Sequence, residues 1–158
     1  MAFLDVKNVK IAGISACVPA TISENRDNIL LSKEEIVKYI ETTGVERKHW
    51  VKHDGSMCTS DLCSQAAERL INELQWDKSE IELLVFVCQT PDYRMPATAC
   101  ILQDRLGLSA SCMAFDVNLG CSGFVYGLSL ASNLLSTGNL KKALLLVGNC
   151  LLYTSPSP

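Results

Sequence analysis

Apolar positions along the chain alternate between two spacings. "VKNVKIAGISACVP", Val6 to Pro19, is rich in β-branched residues with partial alternation and stops at a proline, which predicts a strand. "LSKEEIVKYIETTG" then moves to helical spacing at Ile36, Val37 and Ile40. Ser32 followed by Glu35 forms a capping box at its start, and Gly44 ends it. "GVERKHWVKHDGS" is a polar connection with room for a short strand. In "TSDLCSQAAERLINELQW", Leu62, Ala66, Leu70 and Leu74 share one face of a helix that Thr59 or Ser60 can cap.

The continuous apolar run Leu83 to Cys88 predicts a strand buried on both faces. "TPDYRMP" is a loop, and "ATACILQDRLG" is a helix closed by Gly107. "MAFDVN" is a short strand. "SGFVYGLSLASNLLSTG" is a helix, apolar almost all round, that stops at Gly138, and "ALLLVGN" is a last buried strand. The second half thus reads β-α-β-α-β, which predicts an α/β fold with a mixed, mostly parallel sheet. The Ser/Pro-rich end, residues 149–158, breaks that order. Two readings stand for it: residues left by a truncation or foreign to the gene, or an ordinary frayed tail.

Composition narrows the function classes. At 158 residues and 48% hydrophobic the chain suits about one packed domain. The net charge of −3 argues against a nucleic-acid binder. There is no apolar stretch long enough for a membrane span, and the expectation is no secretion signal and a cytoplasmic setting. The 8 cysteines fit that setting, because Cys17, Cys88, Cys100 and Cys112 lie in apolar runs where a free thiol acts as a small hydrophobe. Neither Cys58/Cys63 nor Cys112/Cys121 has zinc-knuckle spacing, so no metal site is expected.

"NLGCSGFVYG" is the stretch that points to chemistry. Cys121 sits where a predicted strand gives way to a predicted helix, with Gly120 before it and Gly123 just after. Glycines there permit strained backbone angles and close approach of a substrate. The helix start favours a thiolate, and its unpaired N–H groups, that of Cys121 included, can hold an oxyanion. Both suit acyl transfer through a thioester. Gly123, Gly127 and Ala131 leave a small-residue groove along the helix. The competing reading is a structural cysteine beside a glycine turn, the role assigned to the other seven.

"AFDVNLGCSGFVYGLSLA" resembles the active-site segment of the β-ketoacyl-acyl-carrier-protein synthase III family. "VKIAGISACVP", "TTGVERKHW" and "QTPDYRMPATACILQDRLGL" resemble further family segments in the same order, so the likeness runs from about Lys10 to Gly148. It implies a thiolase-type fold, layered α-β-α-β-α, with residues 1–148 as its N-terminal half. It implies that Cys121 takes an acyl group from acyl-CoA and condenses it with malonyl-acyl carrier protein, which loses CO₂, to initiate fatty-acid synthesis. No cofactor beyond these substrates is implied. The full-length protein is expected to be a homodimer that works with acyl carrier protein.

The family's catalytic histidine and asparagine belong to the second half, so residues 1–158 alone are expected to be inactive in condensation. His49 and His53 match neither of the family's polar partners. Met95 matches an acyl-pocket position. Lys38 and Thr42 stand where many members carry an adenine-clamping tryptophan and arginine, which opens the question of the acyl donor. A related polyketide or quinolone-type synthase, or a non-catalytic thiol-containing binding domain, are the alternatives.

Overall fold

A computed structural model describes residues 4–28, 31–51 and 56–149; His53 and the segment 150–158 lie outside the described residues. The chain divides into two compact units, Val18–Met57 and Met1–Cys17 with Cys58–Pro158.

The smaller unit holds β1 (Ile22–Glu24), α1 (Lys33–Thr43) and β2 (Arg47–His49). β1 and β2 pair antiparallel, Ile22 opposite His49 and Glu24 opposite Arg47. The capping box forms as the spacing predicts. The Glu35 N–H donates to Ser32 Oγ at 3.3 Å, and the Ser32 N–H donates to Glu35 Oε2 at 2.8 Å. Hydrogen bonding to the carboxylate by the Ser32 backbone, and then by its side chain, holds the Glu35 carboxyl below its ordinary value. α1 ends at Gly44 in the left-handed region.

The larger unit holds α2 (Thr59–Glu73), β3 (Leu83–Val87), α3 (Thr98–Arg105), β4 (Met113–Val117), α4 (Gly123–Ser136) and β5 (Ala143–Val147). The three strands form a parallel sheet in the order β4-β3-β5. β3 is central and buried along its whole length, which is why it reads as a continuous apolar run. Its alternate side chains serve two cores. Leu84 and Phe86 pack with Cys63, Ala67 and Ile71 of α2 and Ala99 and Leu102 of α3. Leu83, Val85 and Val87 pack with Ala131 of α4. Helices therefore cover both faces, in three layers. Gly107 and Gly138 take positive φ just beyond α3 and α4, as their predicted role as helix stops requires.

α4 comes close to the carboxyl end of the sheet because Gly123 and Gly127 carry no Cβ there. A Cβ on Gly123 would lie 2.7 Å from Val87 Cγ1. One on Gly127 would lie 2.7 Å from Val87 Cγ2 and 2.9 Å from Leu145 Cδ1. The opposite side of α4 is apolar too: Phe124, Val125 and Tyr126 are exposed, and no charged residue occurs among its 14 residues.

Three expectations need correction. No strand forms over Val6–Pro19. From Gly13 to Cys17 the chain keeps a two-residue alternation of burial, but no backbone ladder pairs it. It is laid along α2 instead, where a Cβ on Gly13 would meet Leu70 and Leu74 and the Cys17 thiol lies 3.6 Å from Gln65 Oε1. Alternation reports which side chains turn inward; a strand also needs a hydrogen-bonded neighbour. Second, the residues of α2 turned to the sheet are Cys63, Ala67 and Ile71, one position along from the predicted stripe. Leu62, Ala66, Leu70 and Leu74 are only half-buried. Third, neither Thr59 nor Ser60 caps α2. The N-cap is Cys58, reciprocated by Asp61, and the Thr59 and Ser60 N–H groups donate to the Asp92 carboxylate at 3.3 and 2.7 Å.

α3 is capped in the same way from a distance. Thr98 and Ala99 donate their N–H groups to Asp116, inside β4, at 2.8 and 2.7 Å. Thr98 and Ala99 are fully buried, so an uncapped N–H there has no water to turn to. Asp116→Ala should lower stability by about 1–2 kcal/mol, read as a shift in the urea midpoint at unchanged slope. Gly127→Val, which forces a side chain between α4 and two strands, should cost about 1–3 kcal/mol in the same measurement.

Candidate active site at the carboxyl edge of the sheet

The three parallel strands finish level. Val87 pairs with Val117 on one side and with Val147 on the other. The ladder continues for one more bond on each side, Cys88 N–H to the Val117 carbonyl and Gly148 N–H to the Val87 carbonyl. The chain leaving each strand therefore enters one rim: Gln89 after β3, Cys121 after β4 and Asn149 after β5. The crevice beyond the carboxyl ends of parallel strands is where open α/β sheets place ligands.

Cys121 is exposed on this rim. Its turn is closed by the Gly123 N–H donating to the Gly120 carbonyl at 2.8 Å, and α4 begins at Gly123 with Ser122 as N-cap. The Ser122 side chain makes no capping hydrogen bond. The backbone N–H groups of Cys121 and Ser122 have no hydrogen-bond partner among the described residues. The thiol thus stands at the N-terminus of a 14-residue helix beside unused donors.

The elbow differs from expectation in one respect. Gly120 and Gly123 do not occupy positive φ, so the turn stores no strain of that kind. Their missing side chains serve contact instead. Gly123 accommodates Val87, and at Gly120 an added Cβ would lie 2.8 Å from Gln89 Oε1.

Met95 is 91% exposed on the loop ahead of α3 and belongs to neither core. His49 Nδ1 lies 2.7 Å from the Pro19 carbonyl oxygen, a local hydrogen bond within the smaller unit. Lys38 and Thr42 are exposed on α1. Among the described residues no group of three or more His, Cys, Asp or Glu is arranged to hold a metal ion. No helix among them is long and apolar enough to cross a membrane.

The other described cysteines divide by environment. Cys63, Cys88 and Cys112 are buried. Burial, together with the nearby Cys88, Asp92 and Cys17, pushes the Cys63 thiol up to about 12. Burial likewise raises Cys88 and Cys112. Cys100, placed in an apolar run by the sequence, is instead exposed, because α3 turns Ala99 and Leu102 to the core and leaves Cys100 outside. Cys150 lies outside the described residues.

Sequence reasoning missed Gln89, Asp92, Asp116 and Asn149. Asp116 carries a readable signal, a carboxylate in the middle of an apolar strand, which needs a partner. Gln89 and Asn149 carry only their position at strand ends.

The sequence profile of the 3-oxoacyl-[acyl-carrier-protein (ACP)] synthase III family matches residues 115–153, the stretch from β4 through the elbow and α4. That stretch is similar to the family, and the fold is thiolase-like. A β-ketoacyl-[acyl-carrier-protein] synthase III of Clostridium perfringens is 35% identical over 143 residues, covering 89% of this chain and 42% of that protein. One from Xylella fastidiosa is 38% identical over 141 residues, covering 88% and 42%. A solved 3-oxoacyl-(acyl-carrier protein) synthase from Burkholderia xenovorans superposes with a TM-score of 0.77 at 40% identity, over 84% of this chain and 38% of that one. The chain therefore spans about two-fifths of the length of the relatives it matches.

The burial pattern makes a direct prediction about the cysteines of this chain. Under native conditions at pH 8, brief iodoacetamide treatment followed by peptide mass mapping should find Cys121 and Cys100 alkylated. Cys63, protonated at that pH and buried, should stay unmodified until the chain is denatured.

Proposed function

We propose that Cys121 is the acyl-accepting nucleophile of a β-ketoacyl-acyl-carrier-protein synthase III reaction. The observation that carries this reading is an exposed thiol at the carboxyl edge of a parallel sheet, on a helix N-terminus with unpartnered N–H donors beside it. The Cys121 sulfur, as thiolate, attacks the thioester carbonyl of acyl-CoA. The tetrahedral oxyanion forms next to the Cys121 and Ser122 N–H groups. The bond to the coenzyme A sulfur breaks, coenzyme A leaves as a thiolate and takes up a proton, and the acyl group stays on Cys121.

Malonyl-acyl carrier protein then loses CO₂, and its carbanion attacks the Cys121 thioester. The new carbon–carbon bond gives β-ketoacyl-acyl carrier protein and returns the Cys121 thiolate. This is the first condensation of fatty-acid synthesis, set in the cytoplasm, with acyl carrier protein as partner. The working protein is a homodimer and needs no metal or cofactor beyond its substrates. Met95, reaching into solvent, is the residue we assign to the acyl pocket. Decarboxylation calls for a histidine and an asparagine that we assign to none of residues 1–158, so these residues load an acyl group but do not condense it. Because exposed Lys38 and Thr42 occupy the positions of the family's adenine clamp, the donor is best identified by a panel.

The test is acyl loading. The polypeptide carrying this sequence is incubated with radiolabelled acyl-CoA thioesters of short and long chain, and label is sought on the Cys121 peptide. Label is expected on Cys121 and absent from Cys121→Ser. A Cys121 that alkylates normally yet takes no acyl group from any donor returns the chain to the thiol-containing binding domain. Loading only from unusual donors supports a polyketide or quinolone-type synthase.

A further inference from the structure

At the rim, Gln89, just beyond the end of β3, reaches the elbow of β4 and α4 at Gly120. The three heavy atoms nearest the space where Gly120 lacks a Cβ all belong to its carboxamide: Oε1 at 2.8 Å, Cδ at 3.3 Å and Nε2 at 3.9 Å. Gly120 is the residue immediately before Cys121. The backbone of Gln89 is fixed in turn from the third strand. Its N–H donates to Asn149 Oδ1 at 2.7 Å, and the same oxygen accepts from the Cys88 thiol at 3.5 Å. Asn149 thus ties the end of β3 to the end of β5, while the Gln89 side chain crosses to the end of β4.

The Gln89 side chain is exposed, and its carboxamide makes no hydrogen bond among the described residues. A glutamine held by its backbone, pressed against the turn that presents the thiol, and left with a free donor and acceptor has a use for neither in holding the fold. Resting on the acyl-transfer reading above, we propose that Gln89 is a positioning residue for that reaction. Its carboxamide flanks the Cys121 elbow and orients the acyl thioester as it meets the sulfur. The chemistry fits, since a thioester offers a carbonyl oxygen as acceptor and the carboxamide NH₂ is a free donor.

Gly120 is part of the same device. An alanine there brings its Cβ onto the Gln89 carboxamide. The cheapest response is for the flexible end of Gln89 to swing away, so Gly120→Ala should act as a loss of Gln89.

The experiment compares acyl loading on Cys121 from acyl-CoA in the wild type, Gln89→Ala, Gln89→Met, Gly120→Ala and the Gly120→Ala/Gln89→Ala pair. Iodoacetamide alkylation of Cys121 is the parallel readout. Loading should fall about 5- to 10-fold in Gln89→Ala and in Gly120→Ala. The double variant should be no slower than the slower single, because both remove one interaction. Gln89→Met keeps the bulk but not the amide and should stay slow. Alkylation should stay within about twofold of wild type throughout, showing an intact elbow.

Wild-type loading rates in Gln89→Ala, full rescue by Gln89→Met, or losses that multiply in the double variant would each overturn the proposal. So would a parallel loss of alkylation, which marks a merely structural role. A wild type that alkylates but never loads sinks the acyl-transfer reading and this inference together, whereas a wild type that loads as fast as Gln89→Ala sinks this inference alone.

Discussion

The contact between α4 and the middle strand sets the position of everything at the rim. Val87 ends β3 and lies under two glycines of α4, with a gap at each that a single Cβ would close to 2.7 Å. Interiors pack at crystal-like density, so a methyl group inserted there must push the helix or the strand. The helix begins at Gly123, directly after the Cys121–Ser122 turn. Any push at Gly123 is therefore a push on the thiol. The same contact explains the small-residue spacing Gly123, Gly127 and Ala131: these are the three residues of α4 that are buried.

A second constraint ties the opposite helix layer to the sheet. α2 and α3 both start where their first N–H groups meet a carboxylate supplied from another element, Asp92 from the loop after β3 and Asp116 from β4. Arg105 near the end of α3 reaches back to Asp61 at 2.8 Å and Ser60 Oγ at 3.3 Å on the first turn of α2. A helix capped by its own neighbouring residue can slide as a unit. One whose first N–H groups bind a carboxylate on the sheet, as those of α3 bind Asp116, is held in register with it. The carboxylates also suit the positive ends of the helices they cap.

Much of this was legible in the chain, and the exceptions have physical causes. β3 was readable because full burial leaves an uninterrupted apolar run, and the capping box of α1 because both of its partners lie within one turn of sequence. The distant caps were not, since a carboxylate at Asp92 or Asp116 says nothing local about which helix it serves. The segment from Gly13 to Cys17 misled because alternation is a property of side chains, while a strand is a property of pairs of backbones. On α2 the sheet and this extended segment claim different sides of the helix, the sheet at Cys63, Ala67 and Ile71 and the segment at Leu70 and Leu74, so two apolar stripes coexist and periodicity alone cannot rank them.

At the candidate site, the turn that presents Cys121 was legible and its surroundings were not. "GCSG" marks a tight turn from any viewpoint, but a turn reads first as strain, and neither Gly120 nor Gly123 has the positive φ that strain would need. Their smallness is spent on neighbours that come from elsewhere in the chain, Val87 and Gln89, and that pairing exists only once β3 and β4 lie side by side in register. The elbow is thus not a self-contained motif. It is one third of a rim whose other thirds are Gln89 and Asn149, and the level ends of three parallel strands bring these scattered residues to one edge of the sheet.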